Sequence, residues 1–384
     1  MSRFMSRLTL LLLCAAIPAL AQIPIPPQTL SDTLQTVKIA DNRVTLSIYA
    51  PKASSVTVGG DFLMGAPAAI MTKNDDGVWS FTSNPLPPDS YTYNFNVDGI
   101  TVMDTKNSNF RENPNALFNF FEIPGPETEF MALKNVPHGR VEKVLYHSSA
   151  LNMERRAHVY LPPNFETIPG KLPVLYLLHG GGDNDISWTS AGKINLILDN
   201  LYAAGKLKNM IVVMPSGHVS NSGPIPGRTV VASMSPNPEG DPFIQDFLND
   251  LMPFVEKTYP VSTRRKDRAI AGFSMGGVQT LNLSLWHPDK FAYVFPMSTG
   301  YFPEGIQIIE EKYTAVLKNV VAHPFQVFII GRGKDDPLVG PNNAATLKLF
   351  DKYGVQYQYK VMDGAHSFVF ARKFLASVFP LMFR

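Results

Sequence analysis

The sequence predicts two domains of different class: a small all-β immunoglobulin-like sandwich, followed by an α/β domain with a doubly wound sheet. Short runs of alternating apolar and polar residues, separated by turn residues, fill the first third of the chain and favour the sandwich. Continuous apolar runs alternate with helical patterns in the rest, as in a sheet of buried parallel strands. The chain has 384 residues, of which 45% are hydrophobic and 17% charged, which is ample for two globular cores.

These patterns divide the chain into five segments. A signal peptide at 1–21 precedes a proline-rich linker at 22–30, the sandwich at 31–123, a second linker at 124–138 and the α/β domain at 139–384. The first linker has no strand-length pattern, so we expect it to be extended.

The first 21 residues contain the three parts of a secretory signal peptide. Arg3 and Arg7 form the basic region, an apolar run covers Leu8–Ala16, and an A-x-A cleavage site occupies residues 19–21. A membrane span needs about 20 apolar residues, more than this run provides before Pro18. We therefore expect a secreted or periplasmic protein without membrane insertion.

Cleavage is expected to leave a chain without net charge and without thiols. It removes Arg3, Arg7 and the single cysteine, Cys14, and leaves 32 basic residues against 32 acidic ones. Such a balance argues against partners that are recognised by charge, namely nucleic acid and anionic membranes. The mature chain is expected to hold no disulfide and no cysteine-based metal site.

The predicted strands of the sandwich show a period of two. Their apolar members are Val44, Leu46 and Ile48, then Val56 and Val58, then Tyr91, Tyr93, Phe95 and Val97. Turn residues separate the runs at 75–77, 87–89 and 98–99. Short strands at this spacing, over about 90 residues, are typical of an immunoglobulin-like sandwich.

In the α/β domain, two predicted antiparallel strands open the sheet and buried strands follow. The predicted strands are 139–146, 155–163, 174–179, 211–215, 269–272, 327–330 and 356–361, and helical patterns cover 194–205, 246–259 and 278–286. Pro253 cannot donate a helical hydrogen bond, so we expect a kink or a delayed start in the second of these helices.

The pattern Gly272-x-Ser274-x-Gly276 lies between an apolar strand and a helical segment. This is the arrangement of a nucleophile elbow, in which a sharp turn exposes a serine at the top of a sheet. Glycines two residues on either side relieve the crowding that such a turn creates. The pattern alone also occurs by chance, so its partners decide its meaning.

An acid and then a histidine are expected after such a serine. Asp335 and Asp336 stand in the loop after the predicted strand 327–330, where side chains face the crevice at the carboxyl ends of parallel strands. One of the two is expected to cap the following helix instead. His366, the only histidine beyond them, lies in a turn before the final helix. We predict that Ser274 is the nucleophile, His366 the base and one of these aspartates the acid.

The same chemistry requires hydrogen-bond donors for the developing oxyanion. The N–H of Met275, directly after the nucleophile, is the first candidate. The second is Gly181, in the triple glycine that follows the strand ending at His179, because glycine lets the backbone approach the substrate closely. The alternative interpretation of the triple glycine is a flexible turn.

Several of these segments match one known family. They are Val159–Pro163, Leu178–Gly182, Gly272–Gly277, Gly333–Asp336 and Gly364–His366, with Trp188. On these segments the chain from Pro137 to Arg384 resembles the esterase D group of α/β-hydrolases, carbohydrate esterase family 1. The resemblance implies a serine carboxylesterase and favours Asp336 over Asp335 as the acid. The doubled aspartate and Asp183-Asn184-Asp185 depart from the pattern of many relatives.

The sandwich resembles the early-set domains related to carbohydrate-binding module family 48. The matching segments are Tyr49–Ala53, Val56–Phe62, Gly77–Trp79, Tyr91–Tyr93 and Val97–Gly99. The resemblance leaves two roles open for Trp79, a platform that stacks on sugar or a member of the core.

Together the two resemblances imply a secreted feruloyl esterase that releases ferulate or related hydroxycinnamates from xylan through an acyl-enzyme. The implied partner is a feruloylated or acylated polysaccharide or oligosaccharide, and no cofactor or metal is implied. Trp188 and His218 are candidate substrate contacts.

An acetylxylan esterase and a siderophore esterase are alternatives within the same class. A non-catalytic glycan-binding protein is the alternative from another class, against which the intact serine, acid and histidine argue.

Overall fold

The structure, a computed structural model, describes residues 29–113, 116–219 and 240–384. The predicted signal peptide at 1–21 and most of the first linker lie outside these residues. Residues 29–34 belong to a unit separate from Gln35–Arg384 and form one helical turn, α1 (Leu30–Thr33). This turn is capped because the N–H and hydroxyl of Thr29 both donate to the Asp32 carboxylate.

Ten strands form the sandwich. They are β1 (Val37–Ala40), β2 (Arg43–Tyr49), β3 (Val56–Gly59), β4 (Ala69–Ile70), β5 (Thr72–Lys73), β6 (Val78–Thr82), β7 (Asp89–Val97), β8 (Ile100–Val102), β9 (Phe110–Asn113) and β10 (Ala116–Ile123). One sheet has the order β1-β2-β6-β5, and the other has the order β4-β3-β7-β10-β9 with β8 paired to β7. Apolar side chains of both sheets form one core between them.

Trp79 belongs to this core. Its ring is buried, its Nε1–H donates to the Ala50 carbonyl at 3.0 Å, and the Lys73 ammonium lies 5.6 Å from the ring centroid. Because the indole N–H is satisfied inside the domain and its ring faces other core residues, the core role is confirmed.

Eight strands form the sheet of the α/β domain. They are β11 (Arg140–Ser148), β12 (Met153–Leu161), β13 (Val174–Leu178), β14 (Ile211–Pro215), β15 (Arg268–Phe273), β16 (Tyr293–Met297), β17 (Val327–Gly333) and β18 (Gln358–Met362). Their order is β11-β12-β14-β13-β15-β16-β17-β18, and β12 alone runs antiparallel to its neighbours. Buried apolar clusters cover both faces, as a doubly wound sheet requires.

Helices connect these strands. They are α2 (Ile194–Ala203), α3 (Pro242–Asp246), α4 (Met252–Thr258), α5 (Met275–Trp286), α6 (Pro303–Lys312), α7 (Thr314–Ala322), α8 (Gly340–Tyr353) and α9 (Phe368–Val378). Within the described ranges, no helix is long and apolar enough to cross a bilayer.

The helix predicted at 246–259 differs from the structure. It begins earlier, at Pro242, where the Asp241 carboxylate accepts from the Phe243 N–H at 2.9 Å. A wider π-helical turn, Phe247–Leu251, then precedes α4, in which Pro253 is the second residue. Pro253 has no N–H to donate into the preceding turn, so the irregularity expected at this proline takes the form of the wider turn.

Strand β16 was missed by the sequence prediction. It contains Pro296, which cannot donate to a sheet ladder and normally argues against a central strand. All five residues of β16 pair with β15. On the other side, Phe295 and Pro296 are not paired with β17, and the structure accommodates the proline in this way. Missing this strand also meant missing the polar residues at its end.

The predicted second linker, residues 124–138, is packed against the α/β domain. Met131 is buried in one of the apolar clusters that cover the sheet. The side-chain amide of Asn200 in α2 donates to the carbonyls of Phe130 and Ala132 at 3.1 and 2.9 Å. The segment is therefore a fixed connection rather than a flexible tether.

A buried ion pair joins the sandwich to the α/β domain. Arg372 of α9 and Asp89 of β7 are each 1% exposed and form a direct hydrogen bond. The same guanidinium donates to the Ala191 carbonyl at 2.5 Å and to the Ser90 carbonyl at 2.8 Å, so it bonds to both domains. Since α9 begins two residues after His366, the pair also anchors the sandwich near that histidine.

We expect Arg372→Met to lower the free energy of unfolding by about 3–5 kcal/mol, because the Asp89 carboxylate then stays buried without its main partner. The double variant Arg372→Met/Asp89→Asn lacks both charges and should be more stable than the single variant. Urea unfolding followed by tryptophan fluorescence measures both. Equal losses in the two variants would contradict a role for the buried charge pair.

Candidate active site

Ser274 occupies a sharp turn between β15 and α5. Its φ of 55° and ψ of −115° lie in a region that serine rarely adopts. Its N–H donates to the Met297 carbonyl at 2.9 Å, and the Thr299 hydroxyl donates to the Ser274 carbonyl, also at 2.9 Å. Hydrogen bonds from the end of β16 therefore hold the strained residue on both sides.

The two glycines of the elbow are required by close backbone contacts. A Cβ at Gly272 would lie 2.1 Å from the Gly276 carbonyl oxygen. A Cβ at Gly276 would lie 2.6 Å from the carbonyl oxygens of Leu178 and His179. At both positions the neighbouring backbone is too close for any residue other than glycine. The sequence pattern predicts this crowding.

His366 and Asp336 form the base and acid pair of the site. Nδ1 of His366 lies 2.8 Å from Oδ2 of Asp336, which is 2% exposed, and the imidazole packs against the Phe273 ring at a centroid distance of 4.7 Å. Burial raises the pKa of the Asp336 carboxyl, but the His366 bond and charge and further bonds from Ser298 and the Leu338 N–H outweigh it, so the pKa lies below its ordinary value. The acid is therefore ionised near neutral pH, as needed to orient and stabilise a protonated histidine.

The expectation that one of the two aspartates caps the following helix is wrong, because the N-cap residue of α8 is Val339. Oδ1 of Asp336 accepts from the Leu338 N–H at 3.0 Å, which closes the turn before α8, while its other oxygen accepts from His366. Asp335 has an exposed side chain, and its N–H donates to the Gly364 carbonyl at 3.1 Å. The geometry therefore favours Asp336 as the acid.

Ser298 is a site residue that the sequence analysis did not identify. It is fully buried directly after β16, has a φ of 44°, and donates its N–H to the Gly331 carbonyl at 2.7 Å. Its hydroxyl is hydrogen-bonded to Asp336. The sequence does contain a signal for this residue, because polar residues at the carboxyl end of a buried strand face the site. The signal was missed because β16 was not predicted as a strand.

Gly181 and Met275 are the two predicted oxyanion donors. They are neighbours, because a Cβ at Gly181 would lie 3.7 Å from the Met275 Cβ. Among the described residues, neither N–H donates to a backbone carbonyl of a turn, loop or cap. The two groups stay the predicted donors to a substrate oxygen beside Ser274.

Two buried histidines hold the oxyanion loop. Nδ1 of His179 bonds the Gly180 carbonyl at 2.8 Å, its Nε2 accepts from the Gly217 N–H at 2.8 Å, and Nε2 of His218 bonds the Asp183 carbonyl at 3.0 Å. Burial lowers the pKa of His179 to about 3 and that of His218 to about 4. Both rings are therefore neutral near pH 7, with one nitrogen available to donate and one to accept.

The structure corrects the prediction that Trp188 and His218 contact substrate. Both side chains are 0% exposed. Trp188 packs edge-on against Phe368 at 5.1 Å, and His218 packs against His179 at 5.0 Å. They support residues around the site rather than line it. The rest of the loop that follows His218, residues 220–239, lies outside the described residues.

The nucleophile and the base line one cavity of about 520 Å³. Phe118, Phe273 and Phe368 provide apolar wall, and the glycines of the oxyanion loop lie beside them. The sandwich contributes further lining through the residues Gly60, Asp61 and Thr92. Among the described residues, the Ser274 hydroxyl and His366 line the same cavity without a direct hydrogen bond between them. The hydrogen bond between a nucleophile and its base often forms fully only when substrate binds.

This sheet order, the serine elbow and the histidine–aspartate pair define the α/β-hydrolase class of serine hydrolases. Residues 148–378 match the family described as Putative esterase, and the chain belongs to that family. Residues 34–116 match Carbohydrate-binding module 48 (Isoamylase N-terminal domain), in agreement with the resemblance of the sandwich.

Two curated relatives are xylan-related enzymes. The chain is 34% identical over 269 residues to the Endo-1,4-beta-xylanase/feruloyl esterase of Xylanibacter ruminicola, an alignment that covers 68% of this chain and 35% of the relative. It is 29% identical over 206 residues to Endo-1,4-beta-xylanase Y of Acetivibrio thermocellus, covering 50% of this chain and 17% of the relative. The aligned part of this chain thus spans about a third or less of the length of these relatives.

Solved structures show the same fold. A ferulic acid esterase, 27% identical, superimposes with a TM-score of 0.54 over 64% of this chain and 98% of its own. The enterobactin esterase FES from Shigella flexneri superimposes with a TM-score of 0.66 over 90% of this chain and 94% of its own. At 16% identity the second likeness concerns the fold alone, but it extends over both domains.

Substitution of each neighbouring aspartate in turn tests which of the two is the catalytic acid. We expect Asp336→Asn to lower kcat by roughly 10³–10⁴-fold, because an amide neither stabilises the protonated imidazole nor keeps its tautomer. Asp335→Asn is the matched control and should stay within about twofold, since its side chain is exposed. Steady-state hydrolysis of 4-nitrophenyl acetate measures both, and a larger loss in the Asp335 variant would overturn the assignment.

The buried histidines predict how stability depends on pH. The pKa of His218 is about 4 in the folded chain against 6.5 ordinarily, so the unfolded chain binds more protons between these values. The free energy of unfolding should therefore fall as the pH is lowered from 6.5 towards 4, by up to about 1.4 kcal/mol per pH unit from this group. Urea unfolding at several pH values measures this slope.

His218→Gln removes the titrating ring and should flatten that slope, while His147→Gln, at an exposed histidine, should leave it unchanged. An identical slope in wild type and His218→Gln would show that the buried ring does not control it.

Proposed function

We propose that the chain is a serine esterase that releases ferulate or a related hydroxycinnamate from plant cell-wall xylan. The observation that carries the proposal is that Ser274 and His366 line one aromatic-lined cavity, with Asp336 hydrogen-bonded to His366 behind it. Its support is the 34% identity to a protein named Endo-1,4-beta-xylanase/feruloyl esterase. A cinnamoyl ring is flat and largely apolar, and the Phe118, Phe273 and Phe368 side chains offer matching surfaces.

In the acylation step, the Ser274 hydroxyl oxygen attacks the ester carbonyl carbon. His366 takes the hydroxyl proton on Nε2, because its Nδ1 is bound to Asp336. The N–H groups of Gly181 and Met275 stabilise the negative oxygen of the tetrahedral intermediate. When the intermediate collapses, the bond between carbonyl carbon and sugar oxygen breaks, and His366 gives its proton to the departing sugar oxygen.

Deacylation repeats these steps with water in place of the serine. His366 takes a proton from a water molecule, whose oxygen attacks the carbonyl carbon of the acyl-serine. The same two N–H groups bind the second oxyanion. Collapse returns the proton to the Ser274 oxygen and releases the free hydroxycinnamate, so the chain ends the cycle unchanged.

The proposal extends to partner and location. The match of the sandwich to a carbohydrate-binding module supports a polysaccharide or oligosaccharide carrying the ester as the partner. We also propose secretion or a periplasmic location from the charge and apolar pattern of residues 1–21, which lie outside the described residues.

A panel of methyl ferulate, acetylated xylan and enterobactin tests the substrate class. We expect hydrolysis of methyl ferulate, and a loss of at least about 1000-fold in Ser274→Ala, as removal of a triad member causes elsewhere. Ser54→Ala, at an exposed serine of the sandwich, is the matched control and should retain activity. Chromatography of released ferulate and acetate gives the readout.

Release of acetate without ferulate would move the assignment to a deacetylase. Cleavage of enterobactin alone would favour a siderophore esterase. If the chain bound xylan but hydrolysed none of these esters, the proposed activity would be overturned in favour of a glycan-binding protein.

A further inference from the structure

A second cavity, of about 850 Å³, adjoins the catalytic cavity and is also lined by His366. Both cavities are lined by Gly60, Asp61, Leu338, His366 and Ser367. Neither Ser274 nor the oxyanion glycines line the second cavity. Its volume lies in the range of ligand sites, and it is larger than the cavity at the nucleophile.

We infer that this second cavity is the subsite for the sugar part of the ester, and that the sandwich forms one of its walls. This inference rests on the proposed esterase function. It names the part of the substrate that binds in the second cavity. The sandwich would then select the substrate directly at the active site. This role differs from binding polysaccharide on a separate surface of the sandwich.

The direction of proton transfer places the sugar there. His366 must deliver its proton to the departing sugar oxygen, so the leaving group has to lie on the histidine side of the reaction centre. The acyl group lies instead between the oxyanion donors and the aromatic wall beside Ser274. A cavity that contains the histidine but lacks the nucleophile therefore matches the leaving alcohol.

The lining has the chemistry that a sugar requires. Met64, Pro88 and Tyr91 of the sandwich face Leu338 of the α/β domain and offer apolar surface to the C–H faces of sugar rings. The Asp61 side chain lies where the two cavities meet, and carboxylates of this kind accept hydrogen bonds from sugar hydroxyls.

The sandwich wall is preformed. Phe62 is buried in the sandwich core, with its ring 5.7 Å from that of Phe121, and anchors the loop that carries Asp61 and Met64. Gly60 starts this loop so close to β7 that a Cβ would lie 2.0 Å from the Thr92 carbonyl oxygen. With the Arg372–Asp89 pair fixing the same sandwich to α9, little ordering is needed when the sugar binds.

The test compares two ferulate esters that differ only in the alcohol, methyl ferulate and a feruloylated arabinoxylan trisaccharide. We expect wild type to prefer the trisaccharide ester by at least about tenfold in kcat/KM, mainly through KM. Met64→Trp fills the cavity from a side chain that is 57% exposed, and should reduce this preference by at least about tenfold. Ile100→Trp, at a 70% exposed residue of β8 that does not line the cavity, is the matched control and should keep the preference.

A competition measurement in wild type adds a result that does not depend on the folding of a variant. The unesterified trisaccharide should inhibit methyl ferulate hydrolysis competitively in wild type, and should do so much more weakly in Met64→Trp. Equal kcat/KM for the two esters with no inhibition by the free sugar would overturn the subsite alone. Inhibition that is the same in both variants would place the sugar elsewhere and also overturn it. Failure of wild type to hydrolyse either ester would overturn the proposed function itself.

Discussion

The left-handed backbone at Ser274 is the constraint on which the rest of the site depends. It is possible only because Gly272 and Gly276 let β15, α5 and the end of β13 approach within distances that a Cβ would block. Such a conformation raises the free energy of the folded state by on the order of 1–3 kcal/mol, and contacts of the surrounding structure offset this penalty. The same turn exposes the nucleophile and places Met275, the predicted oxyanion donor, directly after it.

Around this turn, the neighbouring elements each fix one component. The end of β16 holds the elbow through Thr299 and supports the acid through Ser298. The loop after β17 supplies Asp336, and the turn before α9 supplies His366. Buried neutral histidines hold the oxyanion loop in place. Because each component comes from the end of a different strand, the sheet order rather than local sequence determines the geometry.

Much of this could be predicted from the sequence, and the exceptions have physical causes. The elbow, His366 and the apolar strands follow from local patterns. The choice between Asp335 and Asp336 depended on one carboxylate being able to accept bonds from both a turn and a histidine. Burial of Trp188 could not be foreseen, because an aromatic residue after a strand gives the same pattern whether it lines a cavity or supports its wall.

The contribution of the sandwich was not predictable for a different reason. Asp61 and Thr92 are separated from Ser274 by about 180 residues or more, and nothing local to them indicates an active site. Their position follows from how the two domains pack, which the Arg372–Asp89 pair and the fixed segment at 124–138 control. Packing between domains leaves no periodic signal in a single sequence.

The central claim is that Ser274 forms a covalent acyl intermediate. Rapid acid quenching of the enzyme during turnover of 4-nitrophenyl ferulate, followed by proteolysis and mass spectrometry, tests this directly. The account predicts a feruloyl group on the peptide that contains Ser274, formed during an initial burst of 4-nitrophenol. Turnover without any acylated peptide, or with the acyl group on another residue, would contradict it.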